Sequence, residues 1–227
     1  MTEYDKAISA LIKGIEVYEK WGIKPPQLSS FYGQLLTSYI RSGRYKEGKE
    51  LIQKYQKDYP NANLNSQQAI LSFMEGDTIA GNRYVDDWLS IQKKNSASEE
   101  SIIWGLINIY SMGRMPDKVQ EYCHKLLSLK SVSVATLTNA AHRMLFDERN
   151  ASEALELAER ALVLSPDKFF ALHRKGWALY QLGKYEESLE FMQKSWDIRT
   201  KTAAPYNHET YLHLEAAKKA VATQKNN

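Results

Sequence analysis

Apolar residues recur at intervals of three and four through most of this chain, and two-residue alternation is scarce. The stretch NASEALELAERALVLSPDKF is the clearest case. Ala154, Ala158 and Ala161 line one narrow face, with Leu155 and Leu162 beside it. Asn150 or Ser152 is placed to cap its start. Glu156 and Arg160 stand at i,i+4 on the outer side, and Ser165-Pro166-Asp167 ends the helix. Five of the six prolines (Pro25, Pro26, Pro60, Pro166 and Pro205) fall in connections between such stretches. The pattern predicts an all-α chain.

A second pattern overlies the first. HRKGWALYQLGKYEESLEFMQKSW reads as a helix, a stop at Gly183 and a second helix, with Gly176 inside the first, where glycine costs roughly 1 kcal/mol relative to alanine. The same order recurs at FYGQLLTSYIRSGRYKEGKELIQKYQKDYP, with Gly43 and Gly48. It recurs again at NSQQAILSFMEGDTIAGNRYVDDWLSI, with Gly76 and Gly81, and at SIIWGLINIYSMGRMPDKVQEYCHKLLSL, with Gly113. Gly43, Gly76 and Gly113 are 33 and 37 residues apart, and the 70 residues from Gly113 to Gly183 make two units of 35. ATLTNAAHRMLFDERNASEA fills the intervening unit. A period in the mid-thirties with helix–turn–helix content predicts stacked helical hairpins. Paired antiparallel helices approach closely only where one backbone lacks a side chain, which explains Gly176. Ala141 takes that role in the fourth unit, and Gly48, Gly81 and Ala154 take it from the second helix. Gly43, Gly76, Gly113 and Gly183 are the expected C-caps, and Tyr55, Trp88 and Trp196 the expected fillers between hairpins.

These residues resemble the tetratricopeptide repeat family. Leu172, Gly176, Gly183, Tyr185 and Leu189 carry the likeness in the last full unit, and Ala154, Ala158, Ala161 and Pro166 in the one before. Tyr32, Leu35, Tyr39, Gly43, Tyr45, Gly48 and Pro60 carry it in the first. The resemblance implies a right-handed superhelical solenoid of antiparallel helix pairs. One solenoid domain is expected over 1–227: an N-terminal half-repeat or cap helix at 1–22, about five repeats over 27–200, and a capping helix at 207–224. Some positions depart from the family pattern. Lys118 stands where a small residue is expected, the fourth unit lacks the turn glycine and is one residue longer, Lys175 precedes Gly176 where an apolar residue is commoner, and Ser188 and Ser195 replace alanine.

The resemblance also implies that first helices line a concave side where ligand peptides lie. Helical spacing then selects the inward residues: Gln34, Thr37 and Arg41; Gln67, Ile70 and Met74; Trp104, Ile107 and Ser111; Asn139, His142 and Phe146; His173, Arg174, Trp177 and Gln181. Trp104 and Trp177 among amide, histidine and arginine donors suit an extended peptide, with amides serving its backbone and aromatics its side chains. The alternative for the two tryptophans is packing between hairpins. The Lys, Asn and Arg clamp by which some repeats of this family grip an acidic C-terminus is not reproduced, since Gly33, Thr37, Gln67 and Trp104 stand at the corresponding places.

Charge and chemistry narrow the function further. The 227 residues are 43% hydrophobic and 25% charged with a net charge of +3, too weak an excess for a dedicated nucleic-acid binder or an RNA-reading helical repeat. The one cysteine, Cys123, excludes an internal disulfide and a cysteine-based zinc cluster. No apolar run long enough for a membrane span occurs, and MTEYDKAISALIKGIEVYEKW lacks the apolar core of a signal peptide. A cytoplasmic location is expected if the chain is complete, and none is assigned if it is a fragment. No GxGxxG, GxxxxGK[ST] or GxSxG occurs, nor a nucleophile beside a base. HETYLH misses the zinc-binding HExxH by one residue: His208 and His213 at i,i+5 stand about 140° apart on a helix, and read as a loop-exit and a surface histidine. The expectation is a non-enzymatic protein-interaction scaffold that needs no cofactor or metal and takes a partner peptide in its groove. The alternative is an accessory domain of a larger polypeptide or enzyme whose catalytic part lies outside this chain.

Overall fold

A computed structural model describes residues 3–22, 27–59, 63–202 and 208–225. Pro25, Pro26, Pro60 and Pro205 lie outside them. The described residues form twelve α-helices and no strand: α1 (Glu3–Lys20), α2 (Gln27–Arg41), α3 (Tyr45–Asp58), α4 (Asn65–Met74), α5 (Thr78–Lys94), α6 (Glu99–Met112), α7 (Pro116–Ser128), α8 (Val134–Phe146), α9 (Ala151–Leu164), α10 (Phe169–Gln181), α11 (Tyr185–Lys201) and α12 (His208–Lys225). Side chains accept from the backbone at several starts, among them Asp77 from Ala80, Ser98 from Ser101, Ser133 from Thr136 and Asn150 from Glu153. Each satisfies an amide that the helix itself leaves without a partner.

The repeat is written in the backbone at the end of each first helix. Gly43, Gly76, Arg114, Arg149 and Gly183 have φ of 76°, 83°, 56°, 55° and 78°, at intervals of 33, 38, 35 and 34 residues. The next amide bonds a carbonyl five residues back at Arg44–Tyr39, Asp77–Ser72, Met115–Tyr110 and Lys184–Leu179, each 2.9 Å. This is the left-handed helix stop that glycine takes without a Cβ penalty. Two expectations change as a result. In the third unit Arg114, not Gly113, takes the left-handed position, which moves the register one residue along. In the fourth unit Arg149 takes it, with the amide of Asn150 reaching six residues back to Met144.

That shift resolves the oddity at Lys118. Five residues after each left-handed position stand Gly48, Gly81, Val119, Ala154 and Ser188, all buried. Val119 therefore holds the small-residue place, while half-exposed Lys118 pairs with Glu121 at 2.8 Å. Seven residues before the left-handed position stand Gly176 and, in the third unit, Ile107. A Cβ built on Gly176 would lie 2.9 Å from Met192 Cγ and 3.1 Å from Met192 N, so α10 and α11 meet there nearly backbone to backbone.

The helices divide into two compact units, Met1–Ser96 with Met112–Arg114 and Ala97–Ser111 with Met115–Asn227. In the first, Ile8 and Ile15 of α1 pack with Tyr32, Leu35 and Tyr39 of α2 and Tyr55 of α3. Tyr32 also donates to Glu19, which pairs with Lys54 at 2.9 Å. In the second, Leu137, Ala140 and Ala141 of α8 and Leu157, Ala158 and Ala161 of α9 are fully buried. There α10 packs against α8, α9, α11 and α12. Lys175, which breaks the family pattern, holds its ammonium over the Phe191 ring at 4.4 Å and pairs with Glu159 at 2.8 Å. Cys123 is wholly buried, and burial pushes its thiol up to about 12.

Candidate functional site

In the second unit α8 and α12 both flank α10, and aromatic side chains from them form a continuous strip. His142 and Phe146 of α8 have ring centroids 4.6 Å apart. Phe146 stacks on His213 of α12 at 5.8 Å, and His213 lies on Trp177 of α10 at 3.6 Å with planes 2° from parallel. Trp177 stacks on Tyr180 at 4.6 Å, and Tyr180 meets Tyr185 of α11 at 5.2 Å. All six rings are half-buried, so each keeps part of its surface toward solvent. Four of these five contacts have the ordinary spacing for ring pairs, which contribute about 0.5–1.5 kcal/mol each beyond area burial, and the His213–Trp177 stack is closer and nearly face to face.

A polar chain runs beneath the strip. Arg174 Nη1 lies 2.9 Å from Glu209 Oε1 and 3.0 Å from His173 Nδ1, while the guanidinium covers the Phe146 ring at 5.5 Å. His173 Nε2 and His213 Nδ1 are 2.9 Å apart. A guanidinium can only donate. A neutral His173 therefore accepts at Nδ1, carries its proton on Nε2 and donates it to His213, whose own proton then sits on Nε2. Burial, followed by Arg174, holds His173 well below the usual histidine range. Burial likewise pushes His213 down to about 4, against the pull of Glu209, and lowers His142. The histidines are thus neutral near pH 7, and one carboxylate faces Arg174. His173, Glu209 and His213 bring ligand-type atoms within 4.8 Å of one another. The lone pairs a cation would need at His173 and His213 are committed to this hydrogen-bond chain, with Arg174 alongside, so the donor set fits a proton-ordered chain better than a metal.

The residues selected from sequence fare unequally. His142, His173, Arg174 and Trp177 come together in this cluster. His173 and Arg174 are 1% and 8% exposed, however, because α12 covers them; they orient Glu209 and His213 rather than facing outward. Asn139 and Gln181 are exposed on α8 and α10, and Trp104 is half-buried on α6. Ile107, seven residues before the left-handed position at Arg114, is wholly buried, and Ser111 is buried too. In its stead Asn108 falls on the stripe, where it accepts from Arg143 Nη2 at 3.0 Å. In the first unit Gln34 and Arg41 are exposed, and Met74 is half-buried. The Thr37 hydroxyl bonds back to the Gly33 carbonyl at 2.9 Å, and Ile70 is core. Gln67 lines a cleft with Gly33. Sequence reading missed His213, Glu209, Tyr180 and Tyr185. His213 is no surface histidine, and no local spacing signals a stack that exists only once α12 packs beside α10.

Residues 171–205 match the family model described as tetratricopeptide repeat. No curated protein sequence matches. Three solved structures illustrate the likeness. The Sgt2 TPR domain from Aspergillus fumigatus is 19% identical, with 58% of this chain and 84% of that one covered, at a TM-score of 0.49. A tetratricopeptide repeat protein from Parabacteroides merdae is 13% identical over 97% and 89%, at 0.49. BtubC from P. vanneervenii is 14% identical over 92% and 95%, at 0.49. The matched segment begins at Ala171, takes in α11 and holds Gly183, whose helix stop recurs among the described residues. The described residues thus form an all-α series of helical hairpins, of which residues 171–205 match a tetratricopeptide repeat.

Proposed function

We propose that this chain is a non-enzymatic protein-interaction scaffold whose ring strip anchors an extended peptide segment of a partner protein. The observation that carries this reading is the strip itself, six half-exposed rings running over α8, α12, α10 and α11. Large, rigid aromatic surface that is exposed and already ordered costs little entropy to use, which is why such side chains dominate binding hot spots. Asn139 and Gln181, exposed beside the strip, are amides suited to a peptide backbone. Neutral histidines and a net charge of +3 favour a polypeptide over a polyphosphate ligand.

The test is peptide display with the chain as bait, counter-selected against a Phe146→Ala/Trp177→Ala double variant whose helical content is checked by circular dichroism. Peptides selected on the native chain should bind the folded double variant at least about 2 kcal/mol more weakly, roughly thirty-fold in Kd. Equal affinity for both chains would overturn the reading.

A further inference from the structure

The first unit holds a cleft of 290 Å³ between α2, α3 and α4, remote in sequence from the ring strip. Its walls are the rings of Tyr32 and Tyr55, 4.7 Å apart, with Leu36, Leu51, Ile52 and Leu64. Gly33 opens it. A Cβ built there would meet nothing within 4 Å among the described residues, so unlike Gly176 this glycine makes room for none of the described helices. The volume falls just under the roughly 300–1,000 Å³ of ordinary small-molecule pockets, which suits one side chain better than a cofactor.

The polar rim has a definite sense. Asn63 Oδ1 accepts from the Asn65 amide at 3.1 Å, and Gln67 Oε1 accepts from Ser66 Oγ at 2.8 Å. Each carboxamide thus spends its oxygen within the chain and presents its NH₂ as a donor. None of the nine lining residues is charged. A neutral, apolar-walled slot with donors at its lip is complementary to an uncharged ring attached to a carbonyl acceptor.

We propose that this cleft receives one aromatic side chain of a partner peptide, whose adjoining main-chain carbonyl takes hydrogen bonds from Asn63 and Gln67. The proposal rests on the reading that first helices bind peptide, since Gly33 and Gln67 belong to α2 and α4, but it uses no residue of the ring strip. Tyr32 and Tyr55 supply ring surface against which an aromatic guest packs edge or face. The carbonyl fixes the direction in which the peptide leaves the slot.

The probe is N-acetyl-phenylalanine amide, titrated to millimolar concentration into the labelled full chain and followed by NMR. Saturable shifts are expected at the side-chain NH₂ groups of Asn63 and Gln67 and at the Gly33 amide. They should vanish in Gly33→Leu, where a side chain enters the open space while helical content stays unchanged. N-acetyl-glycine amide, with the carbonyls but no ring, should leave these signals in place. Toluene, with the ring but no carbonyl, should leave the two carboxamides unshifted. Absence of saturable shifts at these groups, or their persistence in folded Gly33→Leu, would overturn the proposal. So would equal carboxamide shifts from toluene, which would mark a plain apolar hole. Shifts confined to the ring strip would overturn this cleft and leave the proposed function standing, whereas shifts here with no loss of peptide affinity in the Phe146→Ala/Trp177→Ala variant would do the reverse.

Discussion

Gly33 and Gly176 both sit inside first helices, and the same substitution at the two should move stability in opposite directions. Replacing helical glycine by alanine removes a backbone-entropy cost of about 0.8–1.0 kcal/mol. At Gly33 no described residue opposes that gain, because the added methyl meets none of their atoms within 4 Å. Gly33→Ala should therefore stabilise the first unit by about 0.5–1 kcal/mol. At Gly176 the methyl would lie 2.9 Å from Met192 Cγ, 3.2 Å from Met192 Sδ and 3.1 Å from Met192 N. The side-chain atoms can swing away only into a packed interior, for Met192 is wholly buried, and the backbone nitrogen moves only if α11 moves. Overpacking of this kind costs about 1–3 kcal/mol, so Gly176→Ala should lose up to about 2 kcal/mol net. The propensity gain is common to both positions and cancels in the comparison, leaving a difference of about 1–3 kcal/mol that belongs to the crossing alone. Urea denaturation followed by circular dichroism, resolved by unit if two transitions appear, measures it. Equal shifts of the same sign would refute the claim that Gly176 exists to let α10 and α11 meet.

Two more predictions follow from the same geometry. Burial holds His173 and His213 below the ordinary 6.5, His213 at about 4, so the unfolded chain binds protons that the folded one refuses. Stability of the second unit should be full above pH 6.5 and fall as pH drops toward 4. Arg174 of α10, His142 of α8 and Arg199 of α11 oppose protonation, and Glu209 of α12 favours it. Urea midpoints at pH 7 and pH 5 should differ in the native chain and converge in His173→Gln/His213→Gln; an unchanged gap would show that other groups set it. Arg149 carries a left-handed φ of 55°, a conformation that costs a non-glycine residue about 1–2 kcal/mol. Arg149→Gly should raise the thermal midpoint by an amount equivalent to about 1 kcal/mol, and a lowered midpoint would mean the Arg149 side chain supplies more than its backbone costs.

Most of the fold was legible because its determinants are local. Gly43, Gly76 and Gly183 are the residue type that a left-handed stop prefers, and their spacing gave the hairpin repeat. The exceptions mark where local reasoning ends. Arginine gives no signal for a left-handed turn, so spacing points to Gly113 where the structure stops at Arg114, and that single step is why Val119 rather than Lys118 holds the small-residue place. The candidate site was legible only in part. Helical spacing brought His142 and Trp177 to one stripe, but it cannot say that a later helix will cover His173 and Arg174. Nor can it say that His213, forty residues from His173, completes the strip. The cleft at Gly33 was hidden for a similar reason: a glycine that makes room for a neighbouring helix and one that leaves a hole look alike in sequence.

The most direct test of the peptide-scaffold account is residue-resolved NMR of the full chain with a display-selected peptide. Shifts should centre on the Trp177 indole, the Phe146 ring and the His142 and His213 imidazoles, with Asn139 and Gln181 side-chain amides following. Shifts confined to α9 and the outer face of α11, with the six rings unmoved, would contradict it.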